Sequence, residues 1–222
     1  MQNQSIKSLL GPFSYQGRVG SDEPDNRMIY PLHPMLFARL NPQSGAPEAL
    51  QGQFGLLPPW VDDAKGGPKF GRFCYNARSE SIFEKPSFRD AILTQRALIP
   101  VTAFYEFPDH EKPLRHRYKV FRRDQAPFWF AGLWAHSPRY NVTSCSIVTV
   151  GPMAVLEEFH SRSPLILDQA QAEAWLDPQK KEAPALRPFF KPAPSQDLVA
   201  EAEDWGQQDN TLQLFPGWEE GS

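Results

Sequence analysis

Arg72-Phe73-Cys74-Tyr75-Asn76-Ala77-Arg78-Ser79-Glu80 is dense in reactive and charged side chains. It follows a Gly/Pro/Lys-rich loop, Lys65 to Gly71, and precedes an amphipathic segment. Read as a strand, it alternates faces: Cys74, Asn76 and Arg78 point one way, and Tyr75, Ala77 and Ser79 the other. A thiol, an amide and a guanidinium on one short face suit an anion or a sugar-phosphate. The same run also reads as an edge strand with ordinary polar decoration.

On the N-terminal side, residues 1–27 read as an irregular polar arm ending in a turn at Ser21 to Arg27. Met28 to Leu40 is apolar; its second half reads as a strand, while Pro31 and Pro34 place the first half at an edge or bend. Asn41 to Pro47 is a turn cluster, and Ala49 to Leu57 alternates as a partner strand, so a hairpin is expected. Pro58-Pro59-Trp60 ends it with a rigid, exposed aromatic. On the C-terminal side, Ser81 to Leu93 has helical spacing, with Pro86 splitting it. Ala97 to Phe107 reads as one buried strand, Arg117 to Phe121 and Pro127 to Trp134 as two more, and Ser144 to Val150 as another. Met153 to Phe159 reads as a short helix or turn leading to His160. Asp168 is an expected N-cap for a helix through Leu176. Residues 179–222, rich in Pro, Gln and acids, read as a wrapping tail with little structure of its own.

Many short strands, few helices and no regular βαβ alternation argue against a doubly wound parallel sheet. The expected fold class is α+β, around a bent, mostly antiparallel sheet. The 222 residues fit one domain, 1–222, with its core at about 28–178. The 16 Phe and 6 Trp supply a core, and the 23 Pro point to short elements joined by rigid turns. A net charge of −3 gives no global nucleic-acid signature, so DNA binding needs a local basic patch. Two Cys suit a reducing cytoplasm rather than a disulfide framework. Met1 to Leu10 lacks the pattern of a secretory signal, and no apolar run approaches the ~18 residues of a membrane span. No zinc spacing, phosphate loop or serine-hydrolase elbow is legible, so no metal or cofactor is expected.

Glu106 lies between Tyr105 and Phe107. Desolvation there raises a carboxyl's pKa towards the range useful for acid–base work; the alternative is a strand-end Glu in solvent. His160 and Arg162, just before Pro164-Leu165-Ile166-Leu167, read either as residues at the mouth of a sheet or as a surface loop. Basic residues cluster twice, at Lys65, Lys69, Arg72 and Arg78, and again over 112–123. Trp60 beside the first cluster suits single-stranded nucleic acid, with bases stacking on rings and phosphates pairing with cations. The second run also reads as a solvated hairpin.

In combination, these pieces resemble the SRAP family (SOS-response-associated peptidase), whose members shield abasic sites in single-stranded DNA. The resemblance rests on five segments in order: Phe54 to Trp60, Tyr75-Asn76-Ala77-Arg78, Ala103-Phe104-Tyr105-Glu106, Ser146-Ile147-Val148-Thr149, and His160 to Leu167. Tyr30-Pro31-Leu32-His33 and Phe104-Tyr105-Glu106 look closer to a phage-associated branch. The resemblance implies strands bent into a pseudo-barrel with peripheral helices and a DNA groove. It implies that Asn76 holds the sugar aldehyde and the N-terminus, Glu106 is the acid–base carboxylate, and His160 assists Schiff-base chemistry. Arg78 matches a phosphate contact, and Pro59, Trp60 and Thr149 sit where the family lines its groove. Lys69, Arg72 and Arg162 are added as groove cations. The implied partner is single-stranded DNA, with or without abasic sites; the protein is expected to be a monomer with no membrane association.

One departure affects the chemistry. Family members begin Met-Cys-Gly-Arg, and the processed N-terminal Cys closes a thiazolidine on the abasic aldehyde. Position 2 here is Gln, which puts DNA–protein cross-linking, lyase and autopeptidase activity in question. The chain is then either a divergent member that binds without capture or one with a different native start. Two other readings stand beside DNA binding with chemistry: an inactive SRAP-fold binding protein, and a hydrolase using Cys74 as nucleophile with His160 and Glu106.

Overall fold

Pro34–Leu40 forms β2 and Pro47–Phe54 forms β3, an antiparallel hairpin paired from Pro34↔Gln53 to Leu40↔Pro47. Asn41 shapes its turn: the side-chain oxygen accepts from the amides of Gln43 and Ser44, and Gly45 supplies the positive φ of 71°. Before the hairpin, Ser14–Tyr15 (β1) pairs parallel with β3. The structure is a computed structural model and describes residues 9–11, 13–15, 28–111 and 115–205. The expected N-terminal arm lies largely outside the described residues.

Arg96–Val101 (β5), Phe128–Ser137 (β8) and Val142–Val150 (β9) extend the hairpin into a ring in the order β3-β2-β5-β8-β9. Each neighbouring pair along that order is antiparallel. The ring closes through one short parallel contact, Gln53↔Ser144 and Phe54↔Cys145, between β3 and β9. The expected bent, mostly antiparallel sheet is therefore a closed five-stranded barrel. Asn76–Arg78 (β4) runs parallel to β9, and Ser163–Pro164 (β10) and Ile166–Leu167 (β11) pair with β9 and β8. The helices are short and peripheral: Ala91–Thr94 (α1), Gln169–Leu176 (α2) and Ala183–Leu186 (α3). The fold class is α+β, as expected.

Alternation along the strands divides the apolar residues between two faces. Phe128, Phe130 and Trp134 of β8 join Phe37, Ile99 and Cys145 in one cluster; Trp129, Ala131, Leu133 and Ala135 join Leu98, Val148 and Trp175 in the other. Trp175 is fully buried, and its indole N–H donates to the carbonyls of Ala97 and Gly132 at 3.1 and 3.3 Å. That fixes α2 on β5 and β8. The helix starts where expected: Asp168 accepts from the Gln171 amide, and the Gln171 side chain accepts from the Asp168 amide.

Three expectations change. The run 97–107 is not one strand. It bends at the exposed Thr102, leaving β5 in the barrel and sending Ala103–Glu106 (β6) into a second sheet with His116–Arg122 (β7) and Leu198–Asp204 (β12). A bend of this kind lets one strand serve two sheets. Second, the helix expected over Ser81 to Leu93 is mostly consecutive turns, with only Ala91–Thr94 helical. The apolar residues Ile82, Phe88 and Ile92 are nonetheless buried, so the spacing marks a buried face while Pro86 prevents a continuous helix. Third, the segment after 178 borrows partners from the body. Phe189 and Phe190 meet Trp175 edge-on, and β12 pairs with β7 over its whole length. Arg117 of β7 sits between the rings of Tyr105 and Trp205, at 4.3 and 4.6 Å, and pairs with Glu203 at 2.8 Å. The C-terminal strand thus braces the strand that carries Glu106.

Candidate active site

Gly55 and Gly71 set the entry to the site. They lie back to back, and a Cβ on either would run into the other's backbone, so the end of β3 and the turn at 67–73 approach more closely than any other residue pair allows. Gln53 adds a side-chain bond to the Pro68 carbonyl at 3.0 Å. This clamps the 3-10 segment Gly67–Phe73, which delivers the chain to β4.

The strand alternation expected from Arg72 onwards begins only at Asn76. Cys74 closes the 3-10 segment with ψ of 26°, which is not extended backbone. The thiol therefore does not share a face with Asn76. It is buried in the same cluster as Ala77, while Asn76 and Arg78 are exposed. Burial pushes the Cys74 thiol up, against a smaller opposing effect of a bond with Ser87. A buried thiol held in its protonated form is a poor nucleophile, so Cys74 does not fit the hydrolase reading.

A connected set of contacts runs from β4 to Glu106. Arg78 is paired with Thr149 of β9. Thr149 is buried rather than open to a groove, and its hydroxyl and carbonyl accept from the Arg162 guanidinium at 3.2 and 2.9 Å. Arg162 also donates two bonds to Glu80, at 3.2 and 2.9 Å, so it is already engaged by the protein. The Arg162 carbonyl lies 2.8 Å from Nδ1 of His160, and Nε2 of the same ring lies 3.2 Å from Glu106 Oε2. Nδ1 thus meets both the carbonyl and, at 3.2 Å, the amide of Arg162, and Nε2 is left facing the Glu106 carboxyl.

Two aromatic rings hold the pair together. Tyr118, opposite Glu106 across the β6–β7 ladder, stacks on Phe159 with centroids 3.7 Å apart and planes 15° apart. Phe159 immediately precedes His160, so the stack joins the two elements that carry the pair. Each partner keeps about a fifth of its side-chain surface open, 21 % for Glu106 and 19 % for His160, enough for a reactant to reach it. Burial is the main cause that pushes the Glu106 carboxyl up to about 7; His160 opposes the shift and Asp109 adds to it. Tyr75, half-buried beside Asn76 in the chain, is raised first by burial and then by the Glu106 charge, while Arg78 lowers it. Tyr75 therefore lies in the fields of both charged groups.

The raised Glu106 value means that folding favours the neutral carboxyl. The corresponding stability is complete below the ordinary Glu pKa and is lost as pH rises through about 7. Glu106→Gln should therefore be more stable than the parent at pH 8, by about 1–3 kcal/mol, with no such advantage at pH 4. Urea unfolding at the two pH values measures this. An equal difference at both would show that Glu106 is not desolvated.

An aromatic and basic strip lies on the segment that leads into β4. Trp60 is 43 % exposed and Phe73 is 66 % exposed, and both meet Phe70 edge-on, at 5.5 and 6.3 Å. Pro59, Lys69 and Arg72 are exposed on this strip, and Arg72 covers the Phe73 ring at 4.6 Å. Among the described residues, Lys69 and Arg78 have no ion-pair partner, whereas in the second basic run Arg117 and Arg122 pair with Glu203 and Asp124 and His116 meets Glu111. Sequence reasoning passed over Asp109, Tyr75, Glu80 and the Tyr118–Phe159 stack. Of these, Tyr75 and Glu80 adjoin Asn76-Ala77-Arg78 in sequence, but the other contacts are set by the fold.

Known proteins resemble this chain in sequence and in fold. Residues 9–202 match the family model described as SOS response associated peptidase (SRAP). The chain is 32 % identical over 151 residues to the abasic site processing protein YoaM of Bacillus subtilis (strain 168), covering 67 % of this chain and 65 % of that protein. It is also 32 % identical over 151 residues to the abasic site processing protein YoqW of Bacillus phage SPbeta, covering 67 % and 66 %. The chain thus spans about 65–66 % of the length of these curated relatives. A solved structure from Bordetella bronchiseptica matches with a TM-score of 0.68 at 25 % identity, covering 91 % of this chain and 96 % of that one. A phage-related protein from the same organism matches with a TM-score of 0.66 at 21 % identity, covering 93 % and 92 %, which speaks to the fold alone.

Proposed function

This chain belongs to the SRAP family, and on that footing we propose that it binds single-stranded DNA and acts on abasic sites within it. The observation that carries the reading is the Glu106–His160 contact at 3.2 Å, with Glu106 raised to about 7 by burial and linked through Arg162 and Thr149 to Arg78 of β4. The names of YoaM and YoqW, abasic site processing proteins, support the substrate class.

A ring-opened abasic sugar presents an aldehyde between two phosphates. Asn76 hydrogen-bonds the sugar oxygens. Arg78, Lys69 and Arg72 face the phosphates, and Trp60 with Pro59 receives a flanking base. Arg162, held by Thr149 and Glu80, forms a wall of this groove. A neutral amine adds to the aldehyde carbon. The Glu106–His160 pair then delivers its proton to the resulting hydroxyl, which leaves as water as the C=N bond forms, and the proton lost from nitrogen returns to the pair. In protein beginning Met1-Gln2 the α-amine is the nucleophile; its pKa of about 8 leaves part of it neutral near pH 7. With no thiol on that residue, the imine stays open and water reverses it.

Salt is the first test. Each phosphate neutralised by Lys or Arg releases counterions, so affinity for single strands should fall steeply between about 50 and 200 mM salt. Trp60→Ala should weaken binding by about 1–3 kcal/mol with little change in the salt slope, since the ring contributes stacking and not charge. Fluorescence anisotropy with an intact and an abasic single strand measures both. A salt-independent affinity, or no affinity, would rule out the groove.

A further inference from the structure

Asp109 follows Glu106 on the turn after β6, and its two oxygens reach the His160 loop at separate points. Oδ1 lies 3.5 Å from His160 Nε2, and Oδ2 accepts from the Ser161 amide at 2.7 Å. The amide of Asp109 itself donates to the Phe159 carbonyl at 2.8 Å, so the residue is fastened to all three positions from 159 to 161. Two carboxylates therefore face one imidazole nitrogen.

We propose that Asp109 is a positioning residue of this site: a second carboxylate on His160 Nε2 whose charge keeps one proton on the Glu106–His160 pair at neutral pH, so that the pair meets its substrate as a proton donor. The inference rests on the acid–base reading of that pair. Removing the shared proton leaves Glu106 and Asp109 both anionic around a neutral ring, and like charges at one site resist that state. Asp109 adds to the upward shift of Glu106 that burial dominates. Asp109 itself goes the other way. Burial opposes its ionisation, but bonds from Ser161, followed by the charges of His160 and His110, hold it below the usual carboxylate range. One carboxyl stays ionised so that the other holds a proton, and the titration belongs to the pair rather than to either residue. The remaining ionisable neighbours are Tyr75 and Arg78, which lie in the field of Glu106 or its neighbour, and His110, whose charge acts on Asp109 itself.

The test is a carbon- and nitrogen-detected NMR titration of the full chain without DNA, following the Glu106 carboxyl carbon and the His160 ring nitrogens; Glu106→Gln assigns the carboxyl signal. Asp109→Asn should lower the pH at which the pair gives up its last proton by at least about half a unit. The Asn carbonyl still accepts from the Ser161 amide, so the tether survives while the charge is lost. Asp109→Ser, whose hydroxyl also accepts, should shift the same way. A smaller fall in both variants, no change, or a rise overturns the proposal. Because no DNA is present, a titration that shifts as expected in a protein that ignores abasic strands would overturn the proposed function and leave this inference standing.

Discussion

Glu106→Gln is expected to slow formation of the borohydride-trapped adduct on abasic single-stranded DNA by at least about 100-fold, the lower range for loss of a general acid–base group. Affinity for the same strand should stay within about threefold, because phosphate and stacking contacts come from other residues. Gln keeps the size and polarity of the side chain but cannot donate an acidic proton to the departing hydroxyl. His160→Ala should have a similar cost, since Nε2 lies 3.2 Å from the carboxyl. The double variant should be little worse than either single one, as for residues that act as a unit. Independent, additive losses would mean that the two side chains do separate jobs.

The second large effect concerns stability. Arg96→Ala should destabilise the fold by at least about 3 kcal/mol, because several buried carbonyls lose their donor at once. Arg96 is buried, and its guanidinium donates to Ile92 and Leu93 at 3.0 and 2.8 Å, to Asp177 at 2.6 Å, and to Trp175. The first two carbonyls end α1 and the other two end α2, so one side chain caps two helices whose last carbonyls have no intrahelical partner. Burial lowers the guanidinium to about 10, with the Asp177 charge opposing the fall, which still leaves it charged across the neutral range. The loss should therefore be nearly the same at pH 6 and pH 8. Chemical denaturation of the parent and variant at both values reads it. A loss under about 1 kcal/mol would mean that water replaces the guanidinium without cost.

The hairpin over 34–54 was legible because its alternation and the Asn41–Pro47 turn agree with one another. The start of α2 was legible for a similar reason: Asp168 and Gln171 satisfy each other's backbone within one turn. The aromatic neighbours of Glu106 also signalled its setting, and burial is indeed the main cause of its shift. What could not be read depends on distant partners. The bend at Thr102 follows from β6 finding β7, and the barrel closes through residues 53–54 meeting 144–145. Cys74 looked like a strand neighbour of Asn76 because alternation assumes extended backbone, and Gly67–Phe73 is a 3-10 turn. Asp109 carries no signal in the sequence, because nothing local shows that its oxygens fasten to Ser161 and His160. Arg162 looked like a free groove cation, but Glu80, 82 positions away, already holds it.

The most direct measurement uses the 222-residue chain with its N-terminus verified by mass as Met1-Gln2. It is incubated with a single strand carrying one abasic site, and with the matched intact strand, with and without borohydride, and resolved under denaturing conditions. An adduct is expected on the abasic strand only, present when borohydride is added and absent after heating without it, and reduced at least about 100-fold by Glu106→Gln. A heat-stable adduct without reductant would contradict the open imine. No adduct under any condition, or equal trapping of the intact strand, would contradict the claim that this site acts on abasic DNA.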